Sequence, residues 1–139
     1  MAGYEMLIEQ GKIKEFARSA KSANPDYDGP DAVIPPTFLT TSLNFWAPAD
    51  AGRPVAELGF NLARVLHGEE EYEFFGPPPA AGAKLTVEHS IGERWEKEGK
   101  RGGTMRFAKL LTQYRDEAGT LVAEQRTTII ETAKPPSDG

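Results

Sequence analysis

The stretch Lys84-Leu85-Thr86-Val87-Glu88-His89-Ser90-Ile91 sets Leu85, Val87, His89 and Ile91 against Lys84, Thr86, Glu88 and Ser90. Period two is the pattern of a strand with one face on a core and the other toward water. Upstream, Tyr72 and Phe74 alternate with Glu71 and Glu73. Downstream, Met105, Phe107 and Leu111 lead another strand, and 121–131 forms a last one carrying the β-branched run Thr127-Thr128-Ile129-Ile130. Gly76-Pro77-Pro78-Pro79-Ala80-Ala81-Gly82 is a connection, because proline has no N–H to give a ladder. Gly99-Lys100-Arg101-Gly102-Gly103 and Asp116-Glu117-Ala118-Gly119 read as turns. Four long antiparallel strands therefore follow position 63.

Ahead of them the pattern is helical. Met6, Leu7 and Ile8 predict a brief strand over 4–9. Ile13, Phe16, Ala17 and Ala20 recur at i, i+3, i+4 and i+7, with Lys12, Lys14, Arg18 and Lys21 on the other side, which predicts an amphipathic helix over 12–22. Asn24-Pro25-Asp26-Tyr27-Asp28-Gly29-Pro30 stops it. Ile34-Pro35-Pro36-Thr37 then opens a second helix, proline being well suited to a first turn. Phe38, Leu39, Leu43, Phe45 and Trp46 make it apolar on several sides, so it is expected to be buried from Pro35 to about Trp46 with strands around it. Residues 48–54 form a surface loop. Helices before a run of strands give an α+β domain, one long antiparallel sheet packed on one central helix.

The chain has 139 residues, 39% hydrophobic and 27% charged, enough for one domain, placed at 1–132 with a flexible tail at 133–139. The absence of cysteine excludes disulfides, thiolate zinc sites, thiol nucleophiles and iron–sulfur clusters. Two histidines far apart leave little for a metal site, and neither metal nor cofactor is expected. The net charge of −5 argues against a nucleic-acid partner. No segment approaches the ~20 apolar residues of a membrane span. Met1-Ala2-Gly3-Tyr4-Glu5 has no basic start followed by an apolar stretch, so a cytoplasmic protein without membrane attachment is expected.

Four passages carry a family resemblance: Lys12-Ile13-Lys14-Glu15-Phe16-Ala17, Ile34-Pro35-Pro36-Thr37-Phe38, Leu66-His67-Gly68-Glu69 and Gly119-Thr120-Leu121-Val122-Ala123-Glu124. In this order and spacing the chain resembles the MaoC-like dehydratase group of hot-dog-fold proteins, specifically the N-terminal, non-catalytic-half type found in heteromeric 3-hydroxyacyl-thioester dehydratases. Active members of that group hydrate 2-enoyl thioesters or dehydrate 3-hydroxyacyl thioesters with an Asp-x-Asn-Pro-x-His motif between the first and central helices. The Asp and His handle water and the α-proton. Donors at a helix start can steady the developing enolate oxygen.

Here that stretch reads Ser22-Ala23-Asn24-Pro25-Asp26-Tyr27. Asn24 and Pro25 match, which sets the register. Ser22 then stands at the Asp position and Tyr27 at the His position, so no catalytic residue is expected. Asp26 and Asp28 are the nearby substitutes, but aspartates in such a stretch are more often turn formers.

Three substrate-binding candidates follow: the first free amides of the central helix, at Thr37 and Phe38, and His67. His67 would meet the thioester or pantetheine arm, or else hydrogen-bond a strand end or a partner. His89 reads as a satisfied core or interface histidine. Glu69, Glu70, Glu71 and Glu73 read as a solvated or subunit-facing edge rather than a metal site, since alternation divides them between two faces. Lys97, Lys100 and Arg101 are either ordinary hairpin charges or a phosphate contact. Phe38, Leu39, Phe45 and Trp46 are core or acyl-tunnel lining.

The resemblance implies a non-catalytic, acyl-pocket-forming subunit of a 2-enoyl-thioester hydratase or (3R)-3-hydroxyacyl-thioester dehydratase. Its partner would be a second hot-dog subunit carrying the Asp/His motif, and its ligand an acyl-coenzyme A or acyl carrier protein thioester. The alternatives are a homodimeric acyl-coenzyme A-binding protein without turnover and, third, a thioesterase. The last would need a carboxylate such as Glu57 or Asp50 to reach inward, because 37–46 contains none.

Overall fold

The computed structural model describes residues 3–134. Five strands form one sheet in the order β1-β3-β4-β5-β2, every neighbouring pair antiparallel. They are β1 (Tyr4–Leu7), β2 (Val65–Phe74), β3 (Lys84–Glu98), β4 (Thr104–Arg115) and β5 (Leu121–Glu131). The α+β architecture expected from the sequence is the one observed, a hot-dog fold with the helical segments on the concave side of the sheet.

Helix α1 (Gln10–Ser19) buries Ile13 and Ala17, the inward positions of the predicted stripe. Its end is marked by Lys21 at φ 57°. The stretch after it is a single 3-10 turn, Pro25–Tyr27, whose Asn24 side chain accepts from the Asp26 N–H at 3.0 Å.

The central helix is shorter than the sequence suggests. It begins as a 3-10 segment, Phe38–Thr41, and only Ser42–Phe45 (α2) is α-helical. Thr40, Thr41 and Ser42 are weak helix formers whose hydroxyls compete for backbone groups, and Thr41 Oγ1 donates to the Phe38 carbonyl at 2.9 Å. Nor is it buried all round. Phe38 and Leu39 are enclosed, whereas Phe45 is 61% exposed beneath the Lys12 ammonium, 4.9 Å from its ring.

Cross-strand register sorts the concave face into rows. One row runs Phe74–Ala123–Tyr114–Val87–Tyr4 and belongs to the main apolar cluster with Met6, Ile13, Phe38, Leu39 and Leu85. The next is polar throughout: Tyr72–Gln125–Thr112–His89. Beyond it lie Glu70–Thr127–Leu110–Ile91 and then His67–Ile129–Ala108, around a second apolar cluster with Leu58, Val55 and Val65. A polar belt thus divides two apolar regions.

At the sheet's far end Glu131, 4% exposed at its side chain, accepts from Arg106 Nε at 2.7 Å and from the Asn61 N–H at 2.5 Å. That carboxylate ties the 59–64 segment to β4 and β5. The chain stays packed past β5: the Thr132 N–H donates to the Arg64 carbonyl at 2.9 Å. Ala133, half-buried, sits so close to Gly103 that a side-chain carbon there would lie 3.1 Å from its Cβ. Of the tail assigned to 133–139, then, Ala133 is packed on the β3–β4 hairpin, and residues 135–139 lie outside the described residues. Among the described residues no helix is long and apolar enough to cross a membrane.

Candidate functional site

A cavity of about 490 Å³ opens between the helical segments and the concave face, large enough for part of a drug-sized or acyl ligand. Val55, Val65, Leu110 and Ile129 form its apolar side; Ser42, His89, Thr112 and Gln125 form a polar floor; His67, Glu70 and Arg53 also line it.

A β-bulge shapes the β2 wall. The β2–β5 register shifts between His67 and Glu69, so His67 and Glu70, three residues apart, both face the cavity. In a regular strand residues at i and i+3 point to opposite faces. A Cβ on Gly68 would fall 2.6 Å from Ile130 Cδ1, so a larger residue at the bulge would have to push the end of the Ile130 side chain aside. Glu71 and Glu73 leave by the other face, where both bind the Arg126 guanidinium. The acidic cluster is thus divided, and Glu70, exposed on an edge strand as expected, also lines the cavity.

The floor is a continuous hydrogen-bond network. Tyr114, fully buried, reaches across to the helix, with its hydroxyl 2.9 Å from the Leu39 carbonyl, 3.1 Å from Ser42 Oγ and 2.8 Å from Gln125 Oε1. The Leu39 carbonyl and Gln125 Oε1 both only accept, and a carbonyl that takes the Ser42 N–H keeps a second lone pair, so the single phenolic proton is shared between them. Gln125 Nε2 donates to Glu70 Oε1 and, at 3.4 Å, to the Tyr72 hydroxyl. Burial pushes the Tyr72 and Tyr114 phenols well above the usual tyrosine range, keeping both neutral. Tyr114→Phe removes the central hydroxyl and is expected to cost about 1–3 kcal/mol in denaturant unfolding, leaving Gln125 Oε1 without its donor.

His89 completes the floor, with Nε2 2.6 Å from the Tyr4 hydroxyl and Nδ1 2.8 Å from Thr112 Oγ1. Burial lowers its pKa to about 4, so the ring is neutral near pH 7, one nitrogen donating and the other accepting. It is a satisfied histidine, as the sequence suggests, and it is also a cavity wall.

The degenerate motif lies elsewhere. Ser22 Oγ accepts the Asn24 N–H at 3.3 Å, Tyr27 packs against the main core, and neither lines the cavity. Asp26 is exposed; Asp28 accepts the Gly29 N–H at 2.9 Å and pairs with Lys14 at 3.4 Å. Asp28 serves the turn, and neither aspartate lines the cavity.

Of the three binding candidates, only His67 reaches this cavity. The Phe38 amide is not free: it donates to the Pro35 carbonyl at 3.0 Å, because the chain enters the helix through a 3-10 turn. That corrects the expectation of an open amide there. The Phe38 ring sits edge-on to Phe16 and Trp46 and borders a second hollow of about 360 Å³ between α1 and α2. Thr37 is exposed at the helix start and lines neither cavity.

Asp50 and Glu57 are also exposed and outside the cavity, as are Lys97, Lys100 and Arg101; its cation is Arg53. Sequence reasoning missed Ser42, Glu70, Thr112 and Gln125. The signal for Thr112 was its place in the same alternation as Leu110 and Tyr114.

The family model for the FAS1-like dehydratase domain region matches residues 1–125. A UPF0336 protein of Streptomyces coelicolor is 37% identical over 101 residues, 65% of this chain and 63% of that protein. One from Parafrankia is 28% identical over 137 residues, 89% of this chain and 83% of the relative. With the Streptomyces relatives the match spans about three fifths of their length.

Among solved structures, the HadBC (3R-hydroxyacyl-ACP dehydratase) complex of Mycobacterium tuberculosis superposes with a TM-score of 0.70 at 18% identity, over 93% of this chain and 94% of that one. The ChsH1-ChsH2 complex of the same organism gives 0.67 at 18%, over 99% and 90%. A MaoC-like dehydratase gives 0.73 at 21%, over 94% of this chain and 41% of that one. At these identities the superpositions establish the hot-dog fold. With that fold in hand and the family model running through nearly all of it, the chain belongs to the FAS1-like dehydratase domain family.

Proposed function

We propose that the chain is the non-catalytic, acyl-pocket-forming subunit of a heteromeric 2-enoyl-thioester hydratase or (3R)-3-hydroxyacyl-thioester dehydratase. One observation carries this reading. The segment at which the resemblance calls for an acid–base pair holds Ser22 and Tyr27 in a self-bonded turn, while a cavity is retained beside the helix. Neither side chain lines the cavity: Ser22 Oγ accepts the Asn24 N–H, and Tyr27 packs against the main core.

Dehydration removes the α-proton and expels the 3-hydroxyl as water, and hydration is the reverse. Both need only acid–base groups, which the partner's Asp and His would supply. This chain would contribute cavity walls, with His67 at the β2 side meeting the thioester or its pantetheine arm.

The edge strand β2 suits assembly. It flanks the sheet on one side, and Leu66 is 55% exposed on it. An unpaired edge offers backbone groups to another strand. Two heteromeric hot-dog complexes superpose on this chain, which supports a second hot-dog as the partner. The same edge could pair with its own copy, and that keeps a homodimeric acyl-coenzyme A-binding protein as the second reading.

Co-expression with a motif-bearing hot-dog chain separates the two. The expected result is co-purification, with crotonyl-coenzyme A hydration by the pair and neither hydration nor thiol release by this chain alone. A stable homodimer that binds thioesters but no partner would favour the second reading. Hydration by this chain alone would refute both.

A further inference from the structure

The cavity's two kinds of wall do not suit the same ligand. Val55, Val65, Leu110 and Ile129 would pack along a hydrocarbon chain. The floor would not. There the belt lies between the two apolar clusters, and Tyr114 joins sheet to helix through Leu39 and Ser42. A chain following the apolar wall inward therefore ends against hydrogen-bonding atoms rather than running on into the main core.

Most of those atoms are committed. Gln125 spends its amide protons on Glu70 and Tyr72 and shares the Tyr114 proton with the Leu39 carbonyl, and both nitrogens of His89 are occupied. Thr112 differs. A hydroxyl has one proton and two lone pairs, yet among the described residues its side chain has one partner, His89 Nδ1. If His89 donates, the Thr112 proton is left for the cavity; if His89 accepts, a lone pair is left. Either tautomer gives Thr112, which is 5% exposed, an open valence on the cavity floor. His89 stays neutral near pH 7, so this provision does not titrate there.

We propose that the cavity receives an acyl group bearing a keto or hydroxyl oxygen along its chain, beyond the reacting carbons, and that Thr112 is the hydrogen-bond partner of that oxygen. This rests on the acyl-binding reading above and names the substrate class. An unsubstituted chain reaching the floor displaces water from Thr112 and returns no hydrogen bond, whereas an oxygenated chain replaces the water.

The test is calorimetric titration of the full chain with octanoyl-coenzyme A and its 5-oxo and 7-oxo derivatives. At least one oxo derivative should bind about tenfold more tightly than octanoyl-coenzyme A, equivalent to about 1.4 kcal/mol. T112V should abolish the preference, with octanoyl affinity equal to or tighter than that of the wild type, and T112S should retain it. Equal or tighter binding of plain octanoyl-coenzyme A by the wild-type chain would overturn the proposal while leaving the acyl-binding reading intact. So would a preference that survives T112V. If none of the three binds, the acyl-binding reading fails and the proposal with it. The wild-type comparison decides the matter even if T112V does not fold.

Discussion

Phe38→Ala is expected to destabilise the chain by about 3–5 kcal/mol, the usual cost of removing a buried aromatic side chain. Phe38 is 1% exposed, with Phe16 of α1 edge-on at 5.6 Å between ring centroids and Trp46 at 6.4 Å. It is the side chain through which the first helix, the central helix and the sheet's main cluster meet. The central segment has only eight helical residues, half of them 3-10, so it cannot hold its shape without that packing. Thermal unfolding should show a fall of roughly 10–20 °C. Phe45→Ala is the control: a side chain 61% exposed on the same segment should cost far less. Equal losses would contradict the assignment of Phe38 as the buried ring and Phe45 as the exposed one.

The second large effect is on acid stability. The Glu131 carboxyl is lowered from the ordinary value of 4.5 to about 2, first by its hydrogen bonds from Arg106, then by the Asn61 N–H. A group depressed in the folded state binds its proton more readily when unfolded. The stability it contributes is therefore fully present above about pH 4.5 and is lost as pH falls toward 2. Glu131→Gln should cost about 2 kcal/mol at pH 7, because it leaves the Arg106 guanidinium without its carboxylate. It should also flatten the fall in stability between pH 4.5 and 2, measured by denaturant titration across that window. An unchanged acid profile would show that Glu131 is not the group responsible. Since the amide keeps only one acceptor oxygen for both Arg106 and the Asn61 N–H, the 59–64 segment, which brings Leu62 to the cavity, should lose part of its hydrogen-exchange protection.

The strands were legible because alternation is a local signal. The pattern at 84–91 lies within β3, and the turns at 99–103 and 116–119 fall between the observed strands. The bulge was not legible. Strict alternation puts His67 and Glu70 on opposite faces, and only the pairing of β2 with the distant β5 shows the register shift that puts them on one. The central helix was overread for a related reason. Counting Phe38, Leu39, Phe45 and Trp46 as one apolar surface ignores that 3-10 and α turns rotate side chains by different angles.

The proposed loss of the acid–base pair rests on Ser22 and Tyr27, which the sequence shows directly, whereas the belt of Tyr72, Gln125, Thr112 and His89 exists only once four strands are in register. Single polar residues on inward positions look like exceptions in each strand; aligned, they form a floor.

The central claim is that the chemistry belongs to the other chain. It is tested most directly in the co-purified complex with a motif-bearing partner, by measuring enoyl-thioester hydration after substitution on each side. With Ser22→Ala, Tyr27→Phe, Asp26→Asn and Asp28→Asn combined in this chain, the account predicts kcat within about twofold of the unsubstituted complex. Removal of the partner's Asp or His should lower it by at least about 100-fold. A 100-fold loss from the four substitutions here, in a complex that still assembles, would contradict the account and place the acid–base groups in this chain.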